Sequence, residues 1–177
     1  LITGGVGFIG LNATEEFLLD TSFQKIVIID ALKYDQKIEK IAIFLDPRIH
    51  FIKGDINDRE LIDKTLIKYK ITHIVHLAAE SHVDNSIANP NQFIYSNING
   101  TFNLLEAFKN YWNVCGNQKD WRFLFLSTDE VFGSLNTFDK PFDELSIHNP
   151  SSPYSASKSS AEQLTSCLLY TSPSPRD

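Results

Sequence analysis

Hydrophobic positions along this chain fall into two alternating patterns. Lys25-Ile-Val-Ile-Ile-Asp30, Ile49-His-Phe-Ile-Lys53, Thr72-His-Ile-Val-His-Leu77 and Phe123-Leu-Phe-Leu126 are short apolar runs. They read as strands, and the last of them, four apolar residues together, as a strand buried on both faces of a parallel sheet. Leu1-Ile-Thr3 is the stub of another. Between the runs, apolar residues return at helical spacing. A helical pattern leads from Gly10 to Phe17, Leu18 and Leu19, and Ile38 to Leu45 reads as a helix with Ile41, Phe44 and Leu45 inward. Asp58 is placed to cap a helix carrying Leu61, Ile62, Leu66 and Ile67. A long helix runs from about Pro90 past Leu104, Leu105 and Phe108, and a last one starts near Ser151. Strands alternating with helices in this way make parallel βαβ units with right-handed crossovers. The expected fold is α/β, a Rossmann-type doubly wound parallel sheet.

Composition narrows the picture. The chain has 177 residues, 42% hydrophobic and 21% charged, which suits one core. A net charge of −6 without a basic run argues against nucleic acid, and no apolar run approaches the roughly 20 residues a membrane helix needs. Cys115 and Cys167 share no metal-ligand spacing and suggest no disulfide framework, which fits a reducing cytoplasm. Methionine is absent even from position 1. The expectation is a fragment that starts inside its first strand, truncated at both ends and lacking a C-terminal substrate domain. Residues 1–166 would be an incomplete NAD-binding domain. The stretch from Cys167 to Asp177 resembles a translated sequencing-library adapter and is expected to be a non-native read-through tail.

Candidate chemistry gathers at the strand ends. Gly4-Gly5-Val6-Gly7-Phe8-Ile9-Gly10 joins a strand to a helix, the setting of a dinucleotide fingerprint. Gly5 would allow a tight turn, Gly7 close approach of backbone to pyrophosphate, and Gly10 close packing of helix on strand. The helix N-terminus offers N–H groups and partial positive charge to phosphates. Asp30 ends the next strand, where a carboxylate would bind a ribose hydroxyl and repel a 2′-phosphate; this favours NAD over NADP, and Lys33 softens the preference slightly. Asp55-Ile56 either holds and covers an adenine or supplies a turn acid. Leu77, Ala78 and Ala79 let a ligand approach the backbone, with Ser81 in reach. His73 and His76 lie inside a strand and read as packing residues; His82 is nearer the ligand edge but carries no assignment.

Two further groups bear on reaction type. Tyr154 and Lys158 are four apart and share a helix face. A nearby ammonium and a positive nicotinamide ring would lower the phenol pKa, so that Tyr154 can take a proton from a substrate hydroxyl. Ser127, Thr128, Asp129 and Glu130 follow the fifth apolar run; taken alone they suit either a ligand-facing strand end or a solvated turn. Thr128 can share the substrate hydroxyl with Tyr154.

These motifs together resemble the extended short-chain dehydrogenase/reductase family. Within it, Ser127-Thr-Asp-Glu-Val-Phe-Gly133 and Pro150-Ser-Ser-Pro-Tyr-Ser-Ala-Ser-Lys158 are similar to dTDP-glucose 4,6-dehydratases. The resemblance covers residues 1 to about 166. It implies NAD as cofactor, a nucleotide-sugar substrate, and a homodimer paired through the helix near 90–110 and the helix of Tyr154. Glu130 would be the base at C5 and Asp129 the acid at C6, alongside Thr128, Tyr154 and Lys158. Ser81 and Ser96 carry over as ligand contacts, with Ser96 in place of a threonine. GDP-mannose dehydratases of this kind typically show Ser-Glu instead of Asp-Glu. Phe132 replaces a usual tyrosine, Leu11 a common serine, and Asp35-Gln36-Lys37 a usual Ala-Gly-Asn. The competing readings are another NAD-dependent epimerase or decarboxylase, and a non-catalytic dinucleotide-binding domain.

Overall fold

The computed structural model describes residues 1–33, 42–115 and 120–171, with side chains as far as Leu168. In it the apolar runs form one parallel sheet of β1 (Ile2–Thr3), β2 (Ile26–Asp30), β3 (Ile49–Lys53), β4 (His73–His76) and β5 (Arg122–Phe125). The order is β3-β2-β1-β4-β5. Ile2 lies opposite both Ile28 and Val75, and Thr3 opposite Ile29 and His76. The chain therefore winds outward in both directions from β1, and a crevice opens beyond the carboxyl ends of β1 and β4. That is where such sheets bind ligands.

Alternation along β2 explains the two layers of helices. Val27 and Ile29 enter a core with Ile62 and Leu66 of α2 (Arg59–Tyr69) and Leu104, Ala107 and Phe108 of α5 (Gly100–Val114). Ile26 and Ile28 point the other way, joining Ile2 and Val6, with Phe17 and Leu18 of α1 (Phe8–Leu19) packed against them. Asp58 caps α2 by accepting the Leu61 N–H at 3.0 Å. After α3 (Val83–Ala88), the long helix starts as α4 (Pro90–Phe93), widens to π geometry over Ile94–Asn99 and continues as α5. The wide turn buries Ser96 and Asn97. Asn97 accepts the Glu80 N–H at 2.8 Å and donates to the Glu80 carbonyl and the Ser157 hydroxyl, both at 2.9 Å. This ties the end of β4 to α6 (Pro153–Thr171).

Some expectations change. β5 is covered on one face only: Phe123 packs against the core under α5, while Leu124 is 59% exposed. Among the described residues it is an edge strand, and α1 covers the opposite face only near β1 and β2. Ile67 is 65% exposed, because Ile62, Thr65 and Leu66 already form the inward stripe of α2. In the helix expected over 38–45, the described part is a short 3₁₀ turn, Ala42–Leu45, that buries Ile43 and leaves Leu45 85% exposed. Ile38 and Ile41 fall outside the described residues, as do Asp35, Gln36 and Lys37. α6 continues to Thr171, into the stretch expected to be a read-through tail.

Candidate active site

A cleft of about 590 Å³ runs across the carboxyl ends of the strands, and every residue assigned above to the dinucleotide except Gly5 lines it. Its floor is the turn after β1. Gly4 has φ +68°, and a Cβ there would lie 2.7 Å from the Ala78 backbone, so the left-handed residue is Gly4 rather than Gly5. A Cβ on Gly10 would lie 2.4 Å from the Gly4 carbonyl oxygen, which shows how tightly α1 sits on this turn. Gly7 precedes α1 and no side chain caps the helix. The first-turn N–H groups thus face the cleft beside Phe8 and Ile9, free for an anion. This uncapped backbone cradle fits a dinucleotide pyrophosphate.

The adenosine side is prearranged. The Asp30 carboxylate accepts N–H groups from Val6 (3.1 Å) and Leu32 (2.9 Å), which fixes it at the mouth of the cleft with acceptor capacity left for a ribose. Lys33 Nζ donates to Glu80 Oε1 at 2.8 Å and to Ser96 Oγ at 2.9 Å, so its charge is engaged across the cleft. Asp55 is a turn acid, accepting the Asn57 N–H at 2.9 Å, and also lines the cleft; Ile56 is buried beside it and packs close to Gly100. Ser81 is exposed on the opposite wall, following Ala78 and Ala79.

At the other end, Tyr154 and Lys158 project from one face of α6. Tyr154 is buried, packs edge-on to Phe93 at 6.3 Å and hydrogen-bonds with the Thr128 side chain. Burial pushes its phenol above the usual range, and the Glu130 and Asp129 carboxylates add to this against the lowering effect of Thr128. The expected lowering by Lys158 is therefore not the state of this chain. Lys158 Nζ donates instead to the Leu126 carbonyl and lies 4.2 Å from the centre of the Phe125 ring. Burial lowers the Lys158 ammonium to about 8, opposed by Glu162. Asp129 and Glu130 stand on an exposed 3₁₀ turn, Asp129–Phe132, capped by the Thr128 side chain. The cleft lining stops at Thr128, and neither carboxylate is part of it.

Several contacts around the site were not visible in the sequence, while His76 is the packing residue expected there. Glu80 is buried and reaches Lys33 from 47 positions away. Ser127 donates to Glu162 on α6. Phe132 packs on Phe142 (5.2 Å) and His148 (5.3 Å), in an aromatic cluster of its own. His76 is buried between Thr3 Oγ1 (2.7 Å) and Thr101 Oγ1 (2.9 Å), with its pKa lowered by burial to about 3, so it is a neutral packing residue. His82 is exposed at the start of α3. Among the described residues no cluster of His, Cys, Asp or Glu is arranged to hold a metal, and no helix is long and apolar enough to cross a membrane.

A family model described as GDP-mannose 4,6 dehydratase matches residues 1–171. The chain belongs to this family. Similar members include the dTDP-glucose 4,6-dehydratase of Neisseria meningitidis, 42% identical over 174 residues that make up 97% of this chain and 49% of the relative. Among solved structures, a dTDP-glucose 4,6-dehydratase from Streptomyces venezuelae with NAD bound superposes with a TM-score of 0.85 at 34% identity, covering 96% of this chain and 51% of that one. A UDP-glucose 4-epimerase from Thermus thermophilus, in complex with NAD, gives 0.81 at 28% identity, covering 98% and 51%. The chain spans about half the length of the curated relatives it matches. The family's description and the relatives' names differ in the nucleotide, GDP against dTDP, while agreeing on 4,6-dehydration.

Proposed function

We propose that this chain is the dinucleotide-binding half of an NAD-dependent 4,6-dehydratase acting on a nucleotide-activated hexose, dTDP-glucose first among the candidates. The observation that carries the reading is the arrangement at the end of β5: Thr128 meets Tyr154, while Asp129 and Glu130 follow directly and act on the same phenol. Bound NAD would supply a hydride acceptor for C4 and return that hydride at C6. Tyr154, with Thr128 on the same oxygen, would take the proton of the C4 hydroxyl as a phenolate favoured by the Lys158 ammonium together with the positive nicotinamide of bound NAD, and the ketone that forms acidifies the C5 proton. Glu130 removes that proton as Asp129 protonates the C6 hydroxyl, which leaves as water. Glu130 then returns its proton to C5, and Tyr154 holds the proton that replaces the one Asp129 has given up.

The test uses the full-length enzyme carrying this sequence, given dTDP-glucose or UDP-glucose, with water loss from the sugar followed by mass spectrometry. Asp129→Asn is expected to slow dehydration about 100-fold or more while leaving NAD bound. Undiminished dehydration by that variant removes Asp129 from the mechanism. The likeness to UDP-glucose 4-epimerases supports a second reading, inversion at C4, which would give an isomer of unchanged mass.

The remaining assignments belong to the same reading. Ile94, Tyr95 and Phe102 are exposed at seven- and eight-residue spacing on the long helix, which supports a homodimer face. Two cysteines without the spacing of a disulfide framework, and a nucleotide-sugar substrate, support a cytoplasmic setting. The reading for 167–177 is a non-native read-through tail, which genomic DNA encoding these same residues would refute.

A further inference from the structure

The end of β5 and one face of α6 meet in three rungs. Tyr154, Lys158 and Glu162 are spaced by four residues, one above another on the helix. Opposite them run Leu126, Ser127 and Thr128. The Thr128 side chain bonds the Tyr154 phenol, the Leu126 carbonyl accepts from Lys158 Nζ, and the Ser127 hydroxyl donates to Glu162 Oε2. The other carboxylate oxygen of Glu162 lies 3.6 Å from His148 Nε2, and His148 Nδ1 is 2.8 Å from Ser159 Oγ. Glu162 is therefore held from two elements, the strand end and the loop that leads into α6.

The surroundings of Lys158 give this third rung a task. Lys158 is 5% exposed, and its ammonium faces a carbonyl, the Phe125 ring and the neutral His76. The carboxylate that acts on it is Glu162, and its effect opposes that of burial. Asp129 and Glu130 act on Tyr154. Around Glu162 itself stand Ser127 from the strand end, His148 from the loop, and Lys158 on its own helix. A buried cation without a compensating anion loses its proton. It could then neither favour a phenolate nor bind a ribose as an ammonium.

We propose that Glu162 is a positioning residue of this site: held by Ser127 and His148, its carboxylate offsets the burial of the Lys158 ammonium and, through Ser127, holds the β5 end in register with the Tyr154–Lys158 face. This builds on the redox assignment of Tyr154 and Lys158, yet its test needs no turnover. The Lys158 Cε resonance is followed by NMR against pH in this chain and in Glu162→Gln and Glu162→Asp. Wild type is expected to titrate at about 8. The glutamine variant, similar in shape but uncharged, is expected to titrate lower by about half a pH unit or more, roughly a threefold fall in the charged-to-neutral ratio. The aspartate variant is expected to stay nearer wild type. An unmoved titration in Glu162→Gln, or an aspartate that behaves like glutamine, overturns the proposal. If the glutamine variant does not fold, the Glu162 Cδ resonance of wild type decides: it must shift as Lys158 deprotonates, and a flat trace through that range overturns the proposal. A dehydration assay that fails leaves this result intact and bears only on the reaction.

Discussion

Replacing Gly10 with alanine should damage both the fold and the cofactor site. The new Cβ would sit 2.4 Å from the Gly4 carbonyl oxygen, 2.6 Å from Gly5 Cα and 2.8 Å from the Gly5 carbonyl carbon. Heavy atoms rest at about 3.5 Å, so α1 must retreat by about 1 Å. All three obstructing atoms are backbone, in a turn pinned by the Gly4 N–H to Ile29 carbonyl bond of 2.8 Å, and no rotamer change relieves them. Alanine gains about 1 kcal/mol in helix propensity, but overpacking of this kind costs about 1–3 kcal/mol. Backbone obstruction places the clash at the upper end, leaving a net loss of about 1–2 kcal/mol. A 1 Å displacement of the N–H groups at the start of α1 should also weaken NAD binding by about 10- to 100-fold. Gly7→Ala separates the two effects. Its Cβ would meet the Gly4 oxygen at 3.3 Å, and its φ of −69° suits alanine. Stability should stay within about 0.5 kcal/mol, while the methyl group obstructs the pyrophosphate. Urea unfolding and calorimetric NAD titration measure both quantities. A Gly10→Ala chain with the wild-type urea midpoint would refute the packing argument.

Other outcomes follow from single contacts. Leu104→Ala empties a fully buried position between the sheet and α2, and should lower unfolding free energy by about 2–5 kcal/mol in urea. Asp30→Asn removes the charge that repels a 2′-phosphate, so the ratio of NADP to NAD affinity should rise about tenfold in competitive binding. His76 has a folded-state pKa of about 3, below its ordinary 6.5, so the folded chain binds fewer protons between these values. Its contribution is fully present above pH 6.5 and is lost as pH falls toward 3, by at most about 5 kcal/mol. The difference in urea midpoint between wild type and His76→Gln should shrink steadily on acidification over that window; a constant difference contradicts the assignment.

What the sequence reveals and what it hides divide along physical lines. β2 and β3 are legible because continuous β-branched or aromatic runs are local signals, and the fingerprint of Gly5, Gly7 and Gly10 is local in the same way. The exposure of Leu124 is not legible, since it depends on which neighbour lies beyond β5 and which helix covers it. Ile67 fits a helical repeat as well as Leu66 does; only the direction of the core tells them apart. At the site, Tyr154 and Lys158 are found by spacing, but the raised phenol pKa comes from burial and from carboxylates 24 and 25 residues earlier. Glu80 and Glu162 carry no motif of their own. Their partners, Lys33 and Ser127, are adjacent only after the sheet has assembled.

The buried histidine in β4 has a direction built into it. The Thr101 hydroxyl is committed as a donor to the Asn97 carbonyl at 2.6 Å, so the Nε2 of His76 must carry the hydrogen that Thr101 accepts. The Nδ1 is then bare and takes the Thr3 hydroxyl proton, while Thr3 Oγ1 receives the Ala78 N–H at 3.3 Å. Donors therefore all point one way, from the backbone at the cleft wall through β1 and β4 to the start of α5. A proton added to Nδ1 would turn the Thr3 hydroxyl around, set its hydrogen against the Ala78 amide, and reverse the string at its cofactor end. One imidazole tautomer thus links the wall that a dinucleotide would touch to the helix behind the sheet.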